Sequence, residues 1–282
     1  MKETLILKAG LWQAEILPRM GMNTLSLTYG GRAVLRTPEN VRILEEKPSN
    51  FGVPLLLPPN RTEEGRFCFD GREYQLPINE PAFRNHIHGA VLSSAFRVTG
   101  QTERQVTAVY ENRGADFPFP YRLEVCFSLT EEGYRQEFTV TSTGETDMPL
   151  TFGLHTVFAE QEDFQVPIGR RWAVNGYYIP TGVLEDLTGE AESYLHGTVS
   201  QGKLVRGFYT SIGQTAKIGR FRYQVSDNFD QWVLWNGDGN QGFCAIEPMQ
   251  GAVNALNSGT GLLRLRPNQS EKYMTMISVS CE

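Results

Sequence analysis

Four short stretches place ionisable side chains among glycines, prolines and asparagines: PPNR at 58–61, NHIHG at 85–89, FGLHTVF at 152–158 and AIEPMQGAVNALN at 245–257. Glu247 follows the apolar Cys244–Ala245–Ile246 and precedes Pro248. A carboxylate at the end of a buried strand is costly unless it is hydrogen-bonded or close to a cation. Pro248 is expected to stop that strand and so present Glu247 at a sheet end. Alone, Glu247 reads either as a structural partner or as a catalytic base. His155 lies in an otherwise aromatic and apolar run and, alone, suits a core histidine bonded to a backbone carbonyl. The combination says more. A glutamate of pKa about 4 and a histidine of about 6.5 together supply a base and an acid at neutral pH.

If NHIHG is extended, His86 and His88 project to one face. Such a pair begins a cupin-type metal site, which also needs a nearby glutamate and a later histidine. The next acid after His88 is Glu103. A structural histidine pair and a metal-free substrate site are the other two readings. No nucleophile elbow, Cys–His pair, Walker loop or Rossmann glycine pattern is present. What remains is cofactor-free proton transfer.

The elements that must hold these groups read as strands. Phe67, Phe69, Tyr74 and Leu76 alternate on either side of Asp70–Gly71, a dipeptide suited to a two-residue type I′ turn. In that register Phe67 faces Tyr74 and Phe69 faces Arg72. Asn60–Arg61 thus enters a strand pair and NHIHG follows it, which brings polar groups from two loops together as a small-molecule site requires. Period-2 alternation continues through Trp12–Ile16, Leu25–Tyr29, Val106–Tyr110, Leu123–Leu129, Tyr134–Val140, Phe221–Val225 and Tyr273–Val279. No long segment has helical spacing. With 28 glycines and 15 prolines as punctuation, the chain is expected to be all-β, a large antiparallel sandwich forming one domain over residues 1–282.

The net charge of −6 over 282 residues, without a long basic run, argues against nucleic-acid and membrane partners. The opening MKETLILKAGLWQAEILP mixes charges into short apolar runs, unlike a signal peptide or a membrane span. Cys68, Cys126, Cys244 and Cys281 have no C-x-x-C spacing. They are expected to be small buried hydrophobes in a cytoplasmic protein.

Taken in order, these stretches resemble the aldose 1-epimerase (galactose mutarotase) family. PLLLPPNR, RFCFDGREYQLPINE and NHIHG are similar to its N-terminal signature, and FGLHTVF to its second histidine motif. YYIPTGVLEDLTG (177–189) resembles its Pro-Thr-Gly segment, and AIEPMQGAVNALN its glutamate motif. LRLRPNQSEKYMTMISV resembles the closing strands, with Asn268–Gln269 in place of Gly-Glu. The resemblance implies a β-supersandwich with a sugar site on its concave face and no cofactor. Glu247 would take the proton of the anomeric hydroxyl while His155 protonates the ring oxygen. The opened aldehyde would rotate about C1–C2 and close to the other anomer. His88 would hold and polarise the sugar and Arg61 would bond its hydroxyls, with Asn60 and His86 at the pocket rim. Trp235 would either stack on the sugar or pack in the core.

One departure stands out. Where the family carries a sugar-binding Asp, the comparable stretch KLVRGFYTS (203–211) has Val205 and Arg206. That would alter a hexose site and let Arg206 meet a phosphate or carboxylate. Trp235–Asn236 also resembles a pair in the hexose-6-phosphate epimerase branch. The expected function is therefore a mutarotase of a free aldohexose, as monomer or homodimer. A hexose-phosphate 1-epimerase and a non-catalytic carbohydrate-binding module are the alternatives.

Overall fold

Along Tyr121–Leu129 every second residue is buried, from Tyr121 through Leu123, Val125 and Phe127 to Leu129, and those between are not. One face of this strand therefore meets a core and the other meets water. The computed structural model describes residues 4–280, and Cys281 lies outside them. Gln105–Asn112, Tyr121–Leu129, Gly133–Ser142 and Ser270–Val279 pair in antiparallel succession within an eight-stranded sheet.

A second antiparallel sheet packs on its apolar face. We number its strands β1 (Leu55–Leu56), β2 (Phe152–Leu154), β3 (Val157–Ala159), β4 (Ile168–Val174), β5 (Pro180–Glu185), β6 (Arg206–Ser211), β7 (Gln231–Trp235) and β8 (Phe243–Gln250). Their spatial order is β5-β4-β6-β7-β8-β2-β1, and β3 also pairs with β8. Phe138 of the first sheet and Phe152 of the second meet at 5.4 Å between ring centroids, and Phe152 stacks on Tyr273 at 4.6 Å. Leu123, Phe127, Trp232 and Ile246 belong to the same apolar cluster. Each such burial contributes about 1.5–3 kcal/mol.

The hairpin of residues 66–75 has the expected register, with Phe67 opposite Tyr74 and Phe69 opposite Arg72. Asp70 and Gly71 both take left-handed φ values, 48° and 73°, as a type I′ turn demands. Helical α segments among the described residues are short: Val41–Glu46, Glu190–His196 and Ala255–Ser258. No helix of the described residues is long and apolar enough to cross a membrane.

Two local expectations are corrected. Pro248 does not end its strand, since β8 continues to Gln250 and Pro248 sits opposite Trp232. Ile246 N–H donates to Thr156 O, so the position two residues on faces the same side, where the β2–β3 break leaves no ladder bond to lose. His86 and His88 do not share an extended face either. His88 takes φ 67° directly after the two-residue strand His86–Ile87, which turns the chain there.

Candidate active site

The β2 and β3 strands are two halves of one ladder along β8. Phe152 lies opposite Gln250, Gly153 opposite Met249, Val157 opposite Ala245 and Phe158 opposite Cys244. The same register carried through the gap sets His155 against Glu247. The His155 N–H is taken up outside the ladder by Pro54 O at 3.0 Å. The neighbouring Thr156 hydroxyl is fixed by a 2.7 Å bond with the buried Tyr223 hydroxyl. The result is a 3.4 Å approach of His155 Nε2 to Glu247 Oε1, with residue exposures of 4% and 1%.

Glu247 lies between two small apolar clusters. One joins Val157, Phe243 and Ala245 with Trp235, and the other joins Val233, Met249 and Val253 with Phe208. This burial raises the Glu247 pKa well above 4.5, with Arg61's charge opposing the rise. Burial pushes His155 down, to about 4. Both shifts run opposite to a simple pairing of ordinary groups, because desolvation penalises each charged form. Burial thus favours the form of the pair in which a shared proton rests on Glu247. Moving it across the 3.4 Å contact gives a carboxylate beside an imidazolium.

Around the pair is a cavity of about 410 Å³, within the range of small-molecule sites. Of the residues expected at the site, Asn60, Arg61, His88, His155 and Glu247 line it. His88 stands edge-on to His155 with ring centroids 5.3 Å apart, and its backbone N–H donates to Asn60 O at 2.9 Å. Burial and the charges of His155, Arg61 and His86 lower its pKa well below 6.5. Gly89 permits this approach: a Cβ there would lie 1.9 Å from Leu57 O, and its φ is +65°. Asn60 accepts the Arg61 N–H on Oδ1 at 3.1 Å.

His86 is corrected as a rim residue. It is buried behind the cavity, with Nδ1 2.8 Å from Pro77 O, and does not line the wall. Trp235 lines the cavity, half-buried, between His155 at 5.8 Å and Phe243 at 5.1 Å.

Several lining residues were not anticipated. Glu80 receives Nε and Nη2 of Arg61, and Phe83 and Tyr178 form an aromatic wall with ring centroids 5.0 Å apart. Glu80 closes the RFCFDGREYQLPINE stretch and Tyr178 is the second residue of the Pro-Thr-Gly segment, so family likeness pointed at their neighbourhoods. Nothing in their spacing revealed the contacts. Val205 is buried, while Arg206 lines the cavity and donates from Nη1 to the Tyr178 hydroxyl at 3.1 Å.

Three buried polar atoms of the cavity-lining residues have no hydrogen-bond partner, His88 Nδ1, His155 Nδ1 and Glu247 Oε2, while four others, on Trp12, His86, Tyr121 and Ser142, belong to residues away from its wall. Such atoms are rare in native interiors and indicate where a ligand belongs. Among the described residues no three His, Cys, Asp or Glu side chains gather as a set of metal ligands.

Comparison with known proteins identifies the family. The chain matches the aldose 1-epimerase family model over residues 13–278 and belongs to that family. It is 26% identical to the uncharacterized protein YihR of Escherichia coli strain K12, over 96% of this chain and 91% of that one. The structure of a galactose mutarotase-like protein from Clostridium acetobutylicum superposes with a TM-score of 0.92 at 24% identity, covering 99% and 95% of the two chains. Slr1438 from Synechocystis sp. PCC 6803 gives a TM-score of 0.80 at 22% identity, covering 99% and 96%. The fold is therefore galactose mutarotase-like, mostly β and antiparallel, as the residues had implied.

Proposed function

We propose that this chain, acting as one cytoplasmic domain, is an aldose 1-epimerase that interconverts the α and β anomers of an aldohexose. The observation that carries this is the Oε2 of Glu247, buried and unpartnered in the cavity, beside a histidine 3.4 Å from the other oxygen. A purely structural carboxylate would have its lone pairs satisfied.

With the shared proton on His155, the Glu247 carboxylate takes the proton of the anomeric O1–H. The O1 electrons form the C1=O1 bond, the C1–O5 bond breaks, and O5 receives the proton of His155. Rotation about C1–C2 turns the other carbonyl face to O5. Closure runs the transfers backward: Glu247 protonates O1 and His155 recovers the O5 proton. The resting form, with the proton on Glu247, suits this closing half. One shared proton thus serves both directions.

His88 holds the sugar from the side of His155, and Arg61 presents its remaining donors to the hydroxyls, aimed by the Glu80 fork. Trp235 offers an apolar face beside the reacting carbon. The test is polarimetric relaxation of freshly dissolved α-D-glucose and α-D-galactose. Faster relaxation by the wild type, lost in His155→Ala and Glu247→Ala, is the expected result. Equal acceleration by the wild type and both variants would remove the assignment.

A further inference from the structure

Resting on the mutarotase reading, a second set of groups in the same cavity narrows the substrate. We propose that the sugar carries an oxyanion at the end remote from its anomeric carbon, bound by Arg206 and Tyr178.

The placement follows from the sheet. Arg206 lies opposite Trp235, Phe208 opposite Val233, and Val233 opposite Glu247. Directly opposed residues share a face, so Arg206 stands on the same face as Glu247. Two strand spacings, roughly 10 Å, separate their strands. A pyranose with its reacting end at Glu247 lies across that interval, with its far end towards β6.

The charges point the same way. Arg61 is closed by Glu80 at 2.7 and 2.8 Å, and Glu247 faces His155 at 3.4 Å. Arg206 lines the cavity and makes no ion pair among the described residues. This end of the pocket is left with uncompensated positive charge, which raises the local concentration of an anion.

The donors are arranged to receive it. Arg206 Nη1 donates to the Tyr178 oxygen, so the hydroxyl proton of Tyr178 is free to donate elsewhere. No acceptor for that proton occurs among the described residues. Tyr178 is itself fixed. Its N–H bonds Asn175 O at 3.1 Å, its ring meets Phe83 edge-on, and the Arg61 guanidinium lies 5.1 Å from its centroid. A neutral sugar hydroxyl would use one donor and leave the charge uncompensated. An oxyanion accepts from both groups and neutralises the arginine.

The experiment compares kcat/KM for anomer relaxation of glucose, glucuronate, glucose 6-sulfate and glucose 6-phosphate with the wild type, Arg206→Ala and Tyr178→Phe. The three anions separate a planar carboxylate, a tetrahedral monoanion and a dianion. We expect at least one to exceed glucose by about tenfold or more in the wild type. That ratio should collapse in Arg206→Ala, shrink in Tyr178→Phe and fall with added salt. Arg206 is exposed, and thermal melts check that the variants remain folded. A wild-type preference for glucose, or an anion-to-glucose ratio unchanged by Arg206→Ala, overturns the proposal while leaving the mutarotase standing. Should no sugar relax faster, the mutarotase reading fails instead. Calorimetric binding of the same sugars then decides: tighter anion binding lost in Arg206→Ala upholds the oxyanion site, and equal or absent binding overturns it.

Discussion

Glu80 receives two parallel hydrogen bonds from Arg61, one from Nε at 2.8 Å and one from Nη2 at 2.7 Å. Asn85 ties the same loop to the segment that carries Tyr178, donating to Tyr177 O at 3.0 Å. Arg61 is thereby aimed before any ligand arrives. Glu80→Ala should leave it free to rotate and raise KM by about tenfold, with kcat changed much less. Steady-state relaxation kinetics at several sugar concentrations check this split. An equal fall in kcat would instead give Glu80 a part in the transition state.

The Glu247–His155 contact leads to a second expectation. Glu247→Gln and His155→Ala should each lower kcat by about 10²-fold or more, and the double variant should fall little further. Groups that pass one proton act as a unit. Fully multiplicative losses would show two independent roles.

Turnover should also depend on pH through that single proton. The acid limb comes when His155, held down to about 4, takes up a second proton. The alkaline limb comes when the pair loses its only proton, above the ordinary 4.5 of a glutamate because burial holds Glu247 up. A bell-shaped kcat/KM profile, with both limbs displaced by Glu247→Gln, is the expected result.

Stability carries a related signature. Burial lowers the pKa of His86 and His88, so below 6.5 the unfolded chain binds protons that the folded chain does not. Their contribution is present above 6.5 and is lost as pH falls towards the folded values. His155 has the same sign, while Glu247 has the opposite one, contributing below 4.5 and losing that contribution as pH rises. Within the pair the two contributions oppose each other. His86 and His88 should therefore make Tm rise as pH goes from 5 towards 6.5, which thermal melts across that range check.

Gly89→Ala tests the backbone beneath His88. The new Cβ would strike a carbonyl oxygen at 1.9 Å and occupy a left-handed φ. A loss of about 2 kcal/mol or more is expected from urea titration. Any folded fraction should show a displaced His88 and reduced turnover.

The fold was largely legible because its signals are local. Alternation in Leu123–Leu129 and the Asp70–Gly71 turn needed no distant partner, and both registers hold. The site was legible in composition and less so in arrangement. Pro248 looked like a stop because the break between β2 and β3 that tolerates it lies nearly a hundred residues earlier. His88 turns away from His86 because Gly89 must pass close to Leu57, another contact between segments. The inverted pKa values of Glu247 and His155 depend on apolar clusters gathered from strands that alternation alone cannot assemble.

The site joins loops and strands from Asn60 to Glu247, and no short fragment contains it. His155 faces Glu247 only once two separate strands have docked along β8, with Pro54 in place to hold the intervening backbone. Local hairpins can form early, whereas pairings between distant segments wait on closing long loops. During refolding, recovery of turnover should therefore trail recovery of strand content, making catalysis a reporter of the last long-range docking.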